Sequence, residues 1–354
     1  WDARSDDQKK AASSAQLLPK LAKNSLFLGY NSVLFLQLCN LFEKSGDNRI
    51  SDFRKIIGYD SEPLEFKQRL ENGLSELLSS VSSVNTLSQW VEKNNSETEQ
   101  NTNNITISCG WCPSETWPEA YLFAYEMANI CDSIIDPLKK IEMLKLCCVL
   151  QVIRSICAQS ARWNAGIDEK EKKQGGINGY SWIVVDPETQ NKSLKDVAKA
   201  NLVRIQNLIH GALRTKPPLQ SEINRGQSGY KRSDEKHGQG LILRIGKAIG
   251  FIAPVKGPGP RFVMNELLLR YFVLALIPPG NRMTLESFKE KLYLHFGIAV
   301  GGEQLDKAMK WTYPLQDLKI RKKDDDWFEE KLRATGFLIP LSDAVSLVIN
   351  PFSS

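Results

Sequence analysis

The chain has 354 residues, 42% of them hydrophobic and 25% charged, with a formal net charge of +5. That length can bury at least one large core and predicts two or three domains of ordinary globular composition. Seven cysteines, an odd number at irregular spacing, exclude a secreted disulfide framework and predict a reducing, cytoplasmic setting.

The longest apolar stretches are 26–42, interrupted by Gly29, Asn31 and Gln37, and 267–279, interrupted by Arg270. Neither is a continuous membrane span, so no membrane partner is expected. Residues 13–44 carry leucine-rich faces at helical spacing, with a break at Gly29. Ser51-Asp52-Phe53-Arg54 reads as a helix start, and 64–91 as one or two amphipathic helices. The polar tract 91–104, VEKNNSETEQNTNN, cannot bury enough surface to offset its ordering entropy and reads as a loop or linker. A long helical pattern over 120–163, broken near Asp136-Pro137, has apolar residues on both faces (Ile141, Leu144, Leu150, Ile153), as in the middle of a bundle. The charged, glycine-rich stretch 164–179 reads as a connection. SWIVVD (181–186) is the best strand candidate, followed by a turn at Asp186-Pro187-Glu188-Thr189. Residues 195–213 read as helix and 215–240 as loop, and the Pro and Gly residues of 255–260 mark a boundary.

Charge is distributed unevenly. Residues 1–160 hold about 16 basic and 20 acidic side chains, whereas 204–261 hold about 11 basic and 3 acidic ones. A cationic stretch suits a polyanion, because each neutralised phosphate releases condensed counterions. The candidates for such contacts are Arg225, Lys231, Arg232, Lys236, Arg244, Lys247, Lys256 and Arg261. A solvated basic loop without a ligand is the alternative.

From residue 264 onward the helical runs follow one another closely. NELLLRYFVLAL is stopped by Pro278-Pro279-Gly280-Asn281, TLESFKEKLYLHF is ended by Gly297, and Gly301-Gly302 open a third run around EQLDKAMKW. DWFEEKLRATG then leads into GFLIP, a short turn and VSLVIN, a closing hairpin. This order predicts a winged helix-turn-helix. Its reader helix is either 302–311, offering Glu303, Gln304, Lys307 and Lys310, or 326–335, offering Glu330, Lys331 and Arg333. Between them, DLKIRKK supplies Lys319, Arg321, Lys322 and Lys323 for phosphate. Both helices carry acids, so backbone contact or protein docking is expected over base readout. On these residues the C-terminal quarter, closing with LRATGFLIPLSDAVSLVINPF, resembles winged-helix modules of prokaryotic regulators. It also resembles those of accessory proteins in bacterial anti-phage defence systems. The resemblance implies a DNA-associated role and carries no catalytic residue.

Chemical motifs are few. Cys109 and Cys112 have the CxxC spacing of half a zinc site or a redox dithiol, but no second pair follows, and small thiols packed in a core are the favoured reading. His210, His237 and His295 lie outside metal spacing of one another, and GKAIGFIAPVKGPG lacks the order of a phosphate-binding loop. Asp186 and Glu188, with Lys192, loosely resemble a metal-dependent nuclease core, which needs paired carboxylates and a lysine. Asp324-Asp325-Asp326 is better explained as helix capping.

The expected fold class is therefore mainly α: a multi-domain helical protein with a C-terminal winged helix-turn-helix. The expected domains are an N-terminal helical domain (1–92), a polar linker or loop (93–108), a helical bundle segment (109–163), a basic and partly irregular connecting region (164–260), and the winged helix (261–354). The expected function is a non-catalytic nucleic-acid-binding or scaffolding subunit with DNA and other protein subunits as partners. No cofactor, metal or catalytic residue is expected. The alternatives are a nuclease using Asp186 and Glu188, and a pure protein-interaction subunit.

Overall fold

The computed structural model describes residues 30–82, 85–86, 89–90, 116–164, 178–215, 230–231, 234–236, 238–314, 326–342 and 345–353. These residues are mainly helical, and they divide into two units, Trp1–Cys148 and Val149–Ser354.

In the first unit, α1 (Tyr30–Glu43), α2 (Asn48–Ile57) and α3 (Pro63–Ser80) all pack on α4 (Trp117–Asp132). Every residue of α4 from Trp117 to Cys131 is buried except Pro118. A helix buried all round belongs in the centre, and the neighbours cover its Glu119, Glu126 and Asn129 together with its apolar residues. Phe53 and Phe66 meet Tyr121 edge to face, and Phe66 also meets Tyr125. Helix α3 comes close because Gly73 has no side chain: a Cβ there would stand 2.5 Å from Cβ of Cys131. Arg69 closes the same contact, donating to Asp132 at 2.7 Å and Asn129 at 2.8 Å. Helix α2 starts one turn before the expected Ser51, because the Asp47 carboxylate accepts the Arg49 N–H and caps it there. It ends at Gly58, whose φ of 68° few other residues adopt.

Helix α5 (Pro137–Asn164) begins at the expected break: Asp136 accepts the N–H groups of Leu138 and Lys139, and Pro137 takes the first position, which needs no donor.

In the second unit the expected strand is present as β1 (Trp182–Ile183), held on both sides. On one side it pairs in parallel with β5 (Ile298–Ala299), where Trp182 donates to Gly297 at 2.7 Å and Val184 to Ala299 at 3.0 Å. On the other, Val185 bridges in parallel to Val263, beside the antiparallel pair β2 (Ile252–Ala253) and β3 (Arg261–Phe262). Strands of two residues have no alternation to read, so β2, β3 and β5 left no trace in the sequence pattern. Helices α6 (Lys192–Thr215) and α10 (Gly302–Thr312) cover this core with Leu194, Val197, Ala198, Leu305, Ala308 and Met309 against Ile183, Val185 and Ala299. Asn201 of α6 serves as a substitute strand. Its Oδ1 accepts the Ile183 N–H at 2.9 Å, and its Nδ2 donates to Ser181 O at 3.0 Å and Thr312 Oγ1 at 2.9 Å.

Four further helices and three further strands belong to this unit among the described residues. Helix α7 (Gln239–Ala248) precedes β2. Helix α8 (Glu266–Leu276), capped by Asn265, is buried over Tyr271 to Leu276. Helix α9 (Leu285–Phe296) is capped by Thr284 and ends at Gly297 with φ 71°. Strand β4 (Arg282–Thr284) pairs antiparallel with β7 (Val345–Ile349), which pairs antiparallel with β6 (Leu338–Ser342), giving the order β4–β7–β6. Helix α11 (Asp326–Ala334) runs into this sheet, and its Phe328 stacks on Phe288 of α9 at 6.1 Å. Among the described residues, no helix is long and apolar enough to cross a membrane.

Candidate nucleic-acid interface

The candidate cations of the basic segment fall on different local surroundings. Lys231, Lys236, Arg244 and Lys256 are exposed, and Lys247 is half-buried. Arg244 and Lys247, three residues apart on α7, share one side of that helix. Lys256 lies in the loop joining β2 to β3, where Gly257 and Gly259 take φ of 100° and 75°. Arg261 is half-buried and spends one N–H on Pro187 O at 3.0 Å, which ties β3 to the turn after β1. Two other cations of this stretch are committed within the fold. Arg214 forms a two-pronged pair with Asp234, at 2.7 and 3.1 Å, and lies over the Tyr230 ring. Arg204 lies over Trp311. Arg225 and Arg232 are outside the described residues, as are Lys319, Arg321, Lys322 and Lys323.

The two candidate reader helices have different neighbours. Helix α10 buries Leu305, Ala308 and Met309 in the β1 core and packs on α6. It exposes Glu303, Asp306, Lys307 and Lys310, so its open face is balanced in charge. Lys307 bonds Glu303 at 2.9 Å, and that bond, with the lysine charge, holds the Glu303 carboxyl below its ordinary range. Helix α11 instead buries Phe328 and Leu332 toward α9 and β6. Its polar residues are also engaged: Lys331 pairs with Asp186 at 3.1 Å, and Arg333 with Glu329 at 3.1 Å. Glu329 in turn accepts the Ser346 hydroxyl at 2.8 Å, joining α11 to β7.

The hairpin after α11 has a different character. Ile339, Leu341 and Val345 are exposed, Leu341 to 59%, and the stretch 338–349 contains no lysine or arginine. Pro340 lies in the edge strand β6, next to a register shift, and both features discourage another strand from adding there.

The acids weighed for nuclease chemistry sit on the turn after β1. Asp186 is half-buried, occupied by Lys331, and accepts the Glu188 N–H at 3.4 Å; Glu188 points into solvent and Lys192 is exposed at the start of α6. Among the described residues no three His, Cys, Asp or Glu side chains gather as a metal site would need. Cys109, Cys112 and His237 lie outside the described residues. Cys39, Cys131, Cys147, Cys148 and Cys157 form no disulfide, and burial pushes the Cys131 thiol up to about 11. His210 is exposed, whereas His295 is fully buried at the end of α9, where its carbonyl accepts from the buried Arg154 at 3.1 Å. Burial also lowers Lys291 of α9 to about 8.

Two polar positions that sequence reasoning passed over organise this unit. Asn201 interrupts an otherwise apolar helical face, which was a readable sign. Arg154 carried no such sign, since a lone arginine in a long helix usually faces water. Comparison with protein families, with curated sequences and with solved structures finds no match to this chain.

Proposed function

We propose that this chain is a non-catalytic binding subunit that contacts the backbone of a nucleic acid through its basic segment and carries a C-terminal winged helix-turn-helix. The observation that carries the nucleic-acid reading is the exposure of Lys231, Lys236, Arg244 and Lys256 in a stretch with few acids. The winged-helix reading is supported by the sheet order β4–β7–β6. The strand before α9 lies beside the last strand, and α11 feeds the hairpin. On this reading α8, α9 and α11 are the three helices of the module, and α10 is an insertion belonging to the β1 core. The reader helix is then α11, whose acids and internal ion pairs suit backbone or protein contact better than base edges. The setting proposed with it, a larger bacterial anti-phage defence complex, rests on the C-terminal resemblance alone.

A second reading is favoured by the hairpin. Its exposed Ile339, Leu341 and Val345, without a cation, suit a protein surface, so the module docks another subunit while the basic segment meets nucleic acid.

Fluorescence anisotropy of the full chain with a labelled duplex, over a salt series, tests the first reading. Affinity is expected to fall steeply with salt. The triple variant Lys231→Glu, Arg244→Glu, Lys256→Glu is expected to flatten the log–log slope by about 2–3, since each lost phosphate contact removes about 0.9. Absence of salt-dependent binding by the wild-type chain, or an unchanged slope in the variant, refutes it.

A further inference from the structure

Helix α6 carries cations where a helix disfavours them. Residues 192–199 hold Lys192, Lys195 and Lys199, and the first turn has no acid. The single acid of this stretch, Asp196, is bonded to Lys199 at 3.0 Å. The start of a helix is its positive end, which acids stabilise and lysines oppose. The spacing of three and then four residues brings the three lysines to one side of α6. Lys192 is exposed, and Lys195 and Lys199 are half-buried. Glu188, on the turn before, is exposed.

The lysine stripe runs up to the loop between β2 and β3. Lys199 Cε lies 2.7 Å from where a Cβ on Gly259 would stand, and its Nζ lies 3.5 Å from that point. A residue with a side chain at 259 would displace the lysine. The loop itself holds Pro254, Pro258 and Pro260, whose rings fix φ, so little freedom remains to be lost on binding. Its Lys256 is exposed, and no acid occurs between Glu235 and Glu266. Lys192, Lys195 and Lys199 precede the cation-rich stretch 204–261, so the charge balance of that stretch does not register them.

The aromatic residues distinguish between partners. Helix α6 has no Phe, Tyr or Trp, and those of 236–265 are Phe251 and Phe262, both fully buried. The exposed Trp163 belongs beside the far half of α6, where its neighbour Asn164 donates to Leu208 O at 2.7 Å. Single strands are held by stacking their bases on aromatic side chains, whereas the backbone of a duplex needs cations alone.

We infer that Lys192, Lys195 and Lys199 of α6, continued by Lys256 of the β2–β3 loop, hold the phosphate backbone of a nucleic-acid duplex and not a single strand. This surface rests on the nucleic-acid reading above and extends it to residues outside the basic segment.

Fluorescence anisotropy of the full chain over a salt series compares a labelled duplex with one of its strands alone. At equal salt the single strand is expected to bind at least about tenfold more weakly, for want of a stacking platform. The combined variant Lys192→Ala, Lys195→Ala, Lys199→Ala is expected to flatten the duplex log–log slope by about 2–3, at about 0.9 for each lost phosphate contact. Its thermal midpoint is expected to hold or rise, because the charges opposing the helix dipole are gone. Lys192→Ala alone, at an exposed position, is expected to remove about 0.9, and Lys310→Ala on α10 to change nothing. A single strand bound as tightly as the duplex overturns the duplex assignment. An unchanged slope in the combined variant, or an equal loss from Lys310→Ala, overturns the α6 surface while the nucleic-acid reading stands. A midpoint lowered by several degrees with the slope unchanged makes the lysines structural and overturns it as well. Absence of salt-dependent binding to both probes by the wild-type chain removes the nucleic-acid reading and this surface together.

Discussion

Replacing Asn201 by Leu removes a side chain that stands in for a strand. Its amide satisfies the Ile183 N–H and the Ser181 carbonyl, and both residues are fully buried beside β1. Leucine leaves one backbone donor and one backbone acceptor without these bonds, at about 1–3 kcal/mol each. Thr312 loses the donation from Asn201 but keeps its own bond to Ala308 O at 2.8 Å, so its share is small. The added apolar burial returns about 1 kcal/mol at most, since Asn201 is already fully buried and the volume gain is slight. The net loss is about 3 kcal/mol, which for a unit of about 200 residues lowers the unfolding midpoint by about 6–12 °C. Urea unfolding followed by tryptophan fluorescence is a suitable assay, because Trp182 and Trp311 are buried in this unit. Asn201→Asp separates the two backbone bonds: it still accepts from Ile183 but cannot donate to Ser181. A loss below about 1 kcal/mol for Asn201→Leu would show that β1 does not depend on this amide, and the argument would fail.

Further predictions concern each unit separately. Gly73→Ala places a methyl 2.5 Å from Cβ of Cys131, so α3 must move off α4. A destabilisation of about 1–3 kcal/mol is expected by chemical denaturation, and a neutral result would contradict the close approach. Burial and the raised thiol pKa of Cys131, about 11, predict slow alkylation at pH 8. Only about a thousandth of that thiol is then ionised. Mass mapping after iodoacetamide should find Cys131 protected in the native chain and modified in urea; native modification as fast as in urea would overturn the packing of α4. Arg154→Leu removes the donor to His295 O and the guanidinium 4.8 Å from the Phe296 ring centroid. The expected cost is about 2–4 kcal/mol by the same denaturant assay, because a buried carbonyl and a helix end lose their partner together. An unchanged midpoint would show that Arg154 is dispensable.

Helix existence was legible in the chain where caps and periodicity agreed. Asn265, Thr284 and Gly297 bracket α8 and α9 in the structure as their residue types implied, and Asp136-Pro137 opens α5. The stretch SWIVVD was recognisable as a strand because it is short, β-branched and followed by a turn. Its partners were not, since Ile298–Ala299 and Arg261–Phe262 are two-residue strands whose pairing is set by distant backbone. The candidate site was legible only as a charge balance. That excess of lysine and arginine did not reveal that Arg261 spends an N–H on Pro187 O, or that Lys307 spends its charge on Glu303.

By itself the sequence determined a mainly helical chain, the positions of its longer C-terminal helices and the basic character of residues 204–261. These follow from local periodicity, capping chemistry and composition, which need no distant partner. Tertiary structure alone decided the allegiance of α10, because the same amphipathic pattern fits either a reader helix or the cover of a buried strand. Its apolar face found Ile183 and Ala299 through contacts more than a hundred residues apart in the case of β1. The same long-range packing buried Arg154 against the His295 carbonyl, 141 residues along the chain, a pairing that no stretch of sequence could display.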